Sequence, residues 1–263
     1  MNYTIYPLFN GCFNILFKSI RSMEDIHCFA FLVVDENGEA VLVDTGFDPE
    51  TIPGINTCHT QTEEQHIKAA IEKLGFNPAA IKDVIMTHIH WDHTAGMRDF
   101  PQARFFLQAD EFRGLLQLNP NEETYFNPSH WLHLLPNIKL IEGHQEIKPG
   151  LRVIQTGGHT SGHQLVEVQT KSGPVYLIGD SPFNYDLLWK RITPDRWQLF
   201  RDGVGKDFYW KDDILDTIDK WLKEQNSAGP IQSEVIPWTE IKKMGSRLIM
   251  SHDPRLLNMK TIG

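Results

Sequence analysis

Four side chains able to hold a metal ion, His88, His90, Asp92 and His93, fall within six residues of the run Thr87-His88-Ile89-His90-Trp91-Asp92-His93. Alternate histidines on an extended segment project to one side, and Asp92 and His93 then open the next turn. Imidazole and carboxylate without thiolate suit Zn2+, Mn2+, Fe2+ or Co2+, and so dense a set can hold two cations a few ångströms apart. A second histidine loop, Gly157-Gly158-His159-Thr160-Ser161-Gly162-His163, brings backbone close through its glycines and offers His159 as the better donor. His163 opens the next apolar run and reads as a support standing behind the ligands. Two more apolar runs end in donors, Ile178-Gly179-Asp180 and Met250-Ser251-His252-Asp253. Alone, Asp180 would be a turn former or helix cap and His252 a surface residue; in this company both become candidate ligands. His27, His59, His66, His130, His133 and His144 lack any paired ligand spacing and are read as non-catalytic, with His130 or Trp131 a possible pocket wall.

These donors need strand ends to present them. Residues 29–34 and 40–43 are β-branched, apolar runs flanking Glu36-Asn37-Gly38-Glu39, a hairpin signal, and the second run leads into Asp44-Thr45-Gly46. Residues 62–65 have capping-box form, and Ile67, Ala70, Ile71 and Leu74 follow with helical spacing up to Gly75, so one helix is expected there. Asn77-Pro78 restarts a short helical turn, and 84–86 reads as a buried strand that delivers the histidine cluster onto a strand-to-helix loop. Further strands are expected at 105–107, 153–154, 164–168, 175–178 and 247–250. Helices are expected at 110–118, with Phe112, Leu115 and Leu116 inward, and at 212–223, with Ile214, Leu215, Ile218, Trp221 and Leu222 on one face. The apolar stretch 8–20 reads as a core strand or a dimer contact. Strands followed by helices in each half, without regular alternation, predict an α/β/β/α sandwich over residues 1–263 as one domain.

Composition narrows the function. A hydrophobic fraction of 41% and a charged fraction of 22% are those of an ordinary globular protein. The formal charge of -9, with no basic run, sets nucleic acid aside as a partner. No stretch approaches eighteen apolar residues, so no membrane partner is expected. Cys12, Cys28 and Cys58 form no metal or disulfide framework, and the first residues lack a secretion signal, which together point to the cytoplasm.

The HxHxDH run with a later GGHT, a strand-final GD and a C-terminal SHD resembles the metallo-β-lactamase superfamily, in order from residue 44 to residue 252. The Leu42-Val43-Asp44-Thr45-Gly46-Phe47-Asp48 segment and the terminal Ser251-His252-Asp253 look most like the N-acyl-homoserine lactonase and pyridoxolactonase group. The resemblance implies that His88, His90 and His159 bind one metal and that Asp92, His93 and His252 bind a second. It also implies that Asp180 bridges the two and that Asp44 supports them from behind. Two such cations, zinc by default with Mn2+, Co2+ or Fe2+ as alternatives, would lower the pKa of a shared water toward about 7 and open a cyclic ester. Asp92 would return the proton to the leaving alkoxide. One departure stands out: where this group carries a tyrosine three residues after the bridging aspartate, this chain has Phe183, with Tyr185 two positions on. The aromatic segment 184–210, with Trp189, Trp197, Phe200, Phe208, Tyr209 and Trp210, reads as either a flap or core; as a flap it would suit a small-molecule substrate with an apolar or aromatic body.

Other readings stay open at this stage. A glyoxalase II-like thioesterase or another ester hydrolase shares the ligand order, although only Arg247, Arg255 and Lys260 are available near the end of the chain for an acidic thiol carrier. A mononuclear non-haem iron enzyme resembling persulfide dioxygenases shares HxHxDH, but leaves His252 without a task. A binding module on the same scaffold would have no physical need of all seven donors.

Overall fold

A computed structural model describes residues 1–15, 23–51, 58–118, 122, 125–181, 212–245 and 247–263. Its first sheet has seven strands: β1 (Tyr3–Ile15), β2 (Met23–Asp35), β3 (Ala40–Val43), β4 (Cys58–Thr60), β5 (Asp83–Ile85), β6 (Arg104–Gln108) and β7 (Ile138–Ile141), in the order β4-β1-β2-β3-β5-β6-β7. The second has five: β8 (Gln145–Lys148), β9 (Leu151–Gln155), β10 (Gln164–Thr170), β11 (Gly173–Leu177) and β12 (Leu248–Ile249), in the order β12-β11-β10-β9-β8. The described helices are α1 (Ile67–Lys73), α2 (Trp91–Thr94), α3 (Ala109–Leu115), α4 (Asp212–Glu224) and α5 (Trp238–Met244).

Period-two alternation on β2 shows why the sheets stack. Phe29, Phe31 and Val33 point into a core shared with Val153, Val166, Val168, Val175 and Leu177 of the second sheet. Their neighbours Cys28, Ala30, Leu32 and Val34 face the helical side, where Ile67, Ile71, Phe112, Ile218, Trp221 and Leu222 complete the largest core. A third cluster places Ile241 of α5 against Ile154, Leu165, Tyr176 and Ile178 on the outer face of the second sheet. Helix, sheet, sheet and helix therefore follow one another as the predicted α/β/β/α sandwich.

Some details depart from the sequence reading. The capping box forms, with Thr62 N–H bonded to Gln65 Oε1 at 2.8 Å, but it closes a 3-10 turn at Glu63–Gln65. His66 is then extended, and α1 starts only at Ile67 and stops at Lys73, which leaves Leu74 at the surface. Leu215 faces solvent while Ile218, Trp221 and Leu222 are buried, so the apolar stripe of α4 is narrower than its spacing suggested. The last strand is only two residues long. Of the 8–20 stretch, residues up to Ile15 extend β1 between β2 and β4, a core strand; the remainder lies outside the described residues.

Strand direction places the chemistry. β3 runs parallel to β5, and β11 parallel to β12. Asp44, His88, Asp180 and His252 thus all follow the carboxyl ends of strands and gather at one edge of the sandwich, where loops can carry function on a rigid frame. Gln164 ties the sheets together just behind that edge: its N–H bonds Thr87 O at 2.9 Å and its amide bonds Met86 O at 2.8 Å.

Candidate metal centre

The seven candidate ligands meet in two adjoining groups, His88, His90 and His159, and Asp92, His93, Asp180 and His252, with the potential ligand atoms in each group within 4.8 Å of one another. In the first group His90 Nδ1 lies 3.1 Å from His88 Nε2 and 3.0 Å from His159 Nε2. In the second, His252 Nε2 is 3.2 Å from Asp180 Oδ1 and 3.4 Å from Asp92 Oδ2, and His93 Nε2 is 3.4 Å from Asp180 Oδ1. Asp180 also reaches toward the first group, its Oδ2 3.4 Å from His159 Nε2.

What lies behind each ring fixes which nitrogen faces inward. Thr87 donates its hydroxyl to Asp44 Oδ2 at 2.8 Å, so it accepts the Nδ1–H of His88 at 3.0 Å and leaves His88 Nε2 as a lone pair. His93 gives its Nδ1–H to Asp44 Oδ2 at 2.9 Å, and His252 gives its own to the His27 carbonyl at 2.8 Å. Three imidazoles thus direct Nε2 inward, as metal-binding histidines do when their other nitrogen is held by carboxylate or carbonyl. Two buried atoms in the midst of the site, His93 Nε2 and Asp180 Oδ1, make no hydrogen bond of acceptable geometry. Converging lone pairs, carboxylate oxygens and these orphaned atoms fit divalent cations.

Protonation follows the same logic. Burial holds His88 and His90 well below the usual imidazole range, reinforced by repulsion from His93 and His159 at His88 and from His159 at His90. Both rings are therefore neutral donors. Burial alone would push His252 down too, but the Asp180 carboxylate, helped by Asp92, carries it up to about 10. Burial opposes ionisation of Asp180, yet His252 and His93 outweigh it and hold that carboxyl well below the usual carboxylate range.

Asp44 has a left-handed backbone, φ +58°, at a fully buried position, where its carboxylate accepts Thr87 N–H at 2.7 Å as well as the Thr87 hydroxyl and His93. Asparagine tolerates such a backbone and alanine does not, at a cost of about 1–2 kcal/mol. Asp44→Asn is expected to fold normally yet weaken metal binding about 10–100-fold, by presenting an amide N–H or only one acceptor oxygen to His93. Asp44→Ala should add a fall in melting temperature; thermal melts alongside metal titrations separate the two effects, and equal melting losses would refute the division.

His163 lies beside the candidate ligand groups, 5.4 and 5.6 Å between ring centroids from His88 and His159. Its Nε2 accepts Asp180 N–H at 3.3 Å and its Nδ1 meets Thr156 Oγ1 at 2.6 Å, so it braces the strand end that carries Asp180. Gly179, with φ +51°, lets that strand end pass: a Cβ there would lie 2.7 Å from His163 Nε2 and 2.9 Å from Thr87 Cβ.

The sequence reading assigns no supporting role to Cys28, Thr94, Asn127, Tyr125 and Phe126, and takes His130 only as a possible pocket wall. Cys28 donates its thiol to the Asp92 carbonyl at 3.3 Å. Thr94 Oγ1 donates to the His90 carbonyl at 3.0 Å and accepts Nδ1–H of His130 at 2.9 Å, while Asn127 donates to His130 Nε2 at 3.0 Å. Burial pushes His130 down to about 4, so it is a neutral brace. Tyr125 and Phe126 pack on the His90 ring at 5.5 and 4.9 Å between centroids, whereas Trp131 is in the core. Of these, only Thr94, four residues after His90 at the opening of α2, is marked by local spacing. Phe183, Tyr185 and the aromatic segment 184–210 lie outside the described residues.

The sandwich and the edge cluster are those of one class, and the chain belongs to the metallo-β-lactamase superfamily, whose family model matches residues 24–218. An N-acyl homoserine lactonase from a Bacillus species is 30% identical over 172 residues, 60% of this chain and 65% of that protein. A probable metallo-hydrolase from Mycobacterium tuberculosis is 30% identical over 185 residues, 61% of this chain and 58% of its own length. The match thus spans slightly less than two thirds of these curated relatives. An N-acyl homoserine lactone hydrolase, solved with the product N-hexanoyl-L-homoserine at its catalytic metal center, superposes with a TM-score of 0.58 at 20% identity, covering 92% of this chain and 97% of that one. At that identity the likeness concerns the fold. Among the described residues, no helix is long and apolar enough to cross a membrane.

Proposed function

We propose that this chain, as one domain, is a metal-dependent hydrolase that opens a lactone, with two divalent cations, zinc by default, held by the seven converging side chains. The observation that carries this reading is the inward convergence of His88 Nε2, His90 Nδ1 and His159 Nε2 beside a second group of four donors, with Asp180 within 3.4 Å of both. His88, His90 and His159 would hold one cation, Asp92, His93 and His252 the other, and Asp180 would serve both. When bound, such cations supply Lewis acidity to an ester carbonyl and lower the pKa of water that reaches them toward about 7.

The chain's own groups do the remainder. Asp44 and the His27 carbonyl fix the rings of His93 and His252, so the site is organised before substrate arrives. Asp92, buried at the first turn of α2 with Oδ2 3.4 Å from His252 Nε2, would take a proton from the attacking water and return it to the leaving alkoxide. Trp91 packs on Phe13 at 4.8 Å and on Phe47 at 6.2 Å between centroids, and Phe13 meets the His252 ring edge-on at 6.0 Å, so an apolar layer backs that ligand. A second group with four donors disfavours the single-iron oxygenase, which needs only one site and open positions.

For the substrate, the support is the naming of the Bacillus relatives as N-acyl homoserine lactonases and the acyl-homoserine product in the solved neighbour. We read the substrate as a lactone with an apolar or aromatic body, Phe183 and Tyr185 being the candidate contacts. Side-by-side assays with an N-acyl homoserine lactone and a glutathione-type thioester test this. Acid release from the lactone at least about tenfold faster in kcat/KM, a difference of about 1.4 kcal/mol, is expected; the reverse preference would move the assignment to a thioesterase.

A further inference from the structure

The two segments that supply the three-histidine group come from different sheets, His88 and His90 after β5 and His159 after β9, and something must hold them at contact distance. Gln164 bonds the first segment only at Met86 and Thr87, ahead of the ligands. Glu111, in the first turn of α3 and 2% exposed, reaches further. Its Oε2 accepts the N–H of Ile89, the residue between His88 and His90, at 3.3 Å. Its Oε1 accepts Gly162 N–H at 3.0 Å and the hydroxyl of Thr160, the residue after His159. The loop lies directly on the helix: a Cβ on Gly162 would sit 2.2 Å from Glu111 N. The neighbouring Asp110 is spent elsewhere, on Arg113 at 2.8 Å and on the N–H groups of Gln232 and Ser233.

We propose that Glu111 is a positioning residue that clamps the two ligand-bearing loops together and so governs occupancy of the His88–His90–His159 site selectively. This rests on the metal-binding reading above. Asp180 also faces both loops, but only through the ligand rings of His93 and His159, whereas Glu111 holds their backbone and a hydroxyl. His93, Asp180 and His252 are fixed by Asp44, His163 and His27, and Asp92 is held at its carbonyl by Cys28; among the described residues no hydrogen bond of these supports involves Glu111, so their site should survive its loss.

The test is a Co2+ titration of the metal-stripped full chain, reading equivalents bound per chain and the visible ligand-field spectrum, for wild type, Glu111→Gln, Glu111→Ala and Ile241→Ala. Wild type should take up two equivalents. Glu111→Ala should keep one at wild-type affinity and bind the other about 10–100-fold more weakly, with the spectral component of the three-histidine site lost or shifted. Glu111→Gln keeps an acceptor for one loop but turns N–H toward the other, and should fall between. Ile241→Ala, a cavity in the core beyond the second sheet, should lower stability yet keep both equivalents, which separates positioning from destabilisation. Two equivalents with unchanged affinity and spectrum in both Glu111 variants, or loss of both equivalents together, would overturn the proposal. A wild-type chain that binds no metal would overturn the reading beneath it as well.

Discussion

Asp180→Asn is expected to reduce lactone turnover by at least about a thousandfold, equivalent to about 4 kcal/mol of transition-state stabilisation, while the chain remains folded. The argument is positional. Among the described carboxylates Asp180 is the one that reaches both donor groups, 3.4 Å from His159 on one side and 3.2 to 3.4 Å from His252 and His93 on the other. It is buried, and His252 and His93 hold it ionised against the cost of burial. Asparagine has the same shape but no charge and one fewer acceptor oxygen, so both groups lose their shared anionic partner and one of them faces an amide N–H instead. The Asp180 N–H bond to His163 is made by backbone and survives, and for that reason the fold should survive too. Circular dichroism, metal analysis and steady-state kinetics on the same preparation check this. Wild-type turnover in an Asp180→Asn chain depleted of metal would sink the mechanism.

Chelation is the second large effect. A ligand that binds only the folded chain stabilises it by about 4 kcal/mol at a thousandfold excess over its Kd, and two sites roughly double that. For a chain of this size about 1 kcal/mol corresponds to about 2–4 °C in melting temperature. Weak binding of cations by histidines of the unfolded chain subtracts from the total, so excess EDTA should lower the melting temperature by about 10 °C or more. Adding Zn2+ or Co2+ back should restore it. The physical source of the loss is visible: metal removal leaves Asp44, Asp92 and Asp180 crowded with four buried histidines, and leaves His93 Nε2 and Asp180 Oδ1 without hydrogen bonds. A melting temperature unmoved by EDTA, with elemental analysis confirming removal, would mean that the cluster is held together by protein contacts alone.

The site was legible in sequence to the extent that its donors are consecutive or end an apolar run. His88 to His93 are read together because they are neighbours, and Asp180 and His252 because each follows a β-branched strand whose end is marked by Gly179 or Ser251. The stacked sheets could also be read, since strands are followed by helices in each half without regular alternation; which face of β2 meets which layer could not, because Phe29, Phe31 and Val33 and their neighbours Ala30, Leu32 and Val34 are all apolar. What escaped were relations between distant residues. Glu111 and the loops it holds are 22 to 51 positions apart, so no local spacing marks a buried glutamate at a helix start. The helix expected from the 62–65 capping box is split because His66 takes an extended backbone, a tertiary preference that overrides a sound local signal. Leu215 illustrates the reverse, an apolar residue at a correct helical position that is left 37% exposed.

The most direct test of the dinuclear account is metal content per chain by elemental analysis, followed on the same sample by acid release from an N-acyl homoserine lactone. The account predicts two equivalents of zinc, manganese or cobalt together with ring opening; one equivalent of iron and no acid release would contradict it.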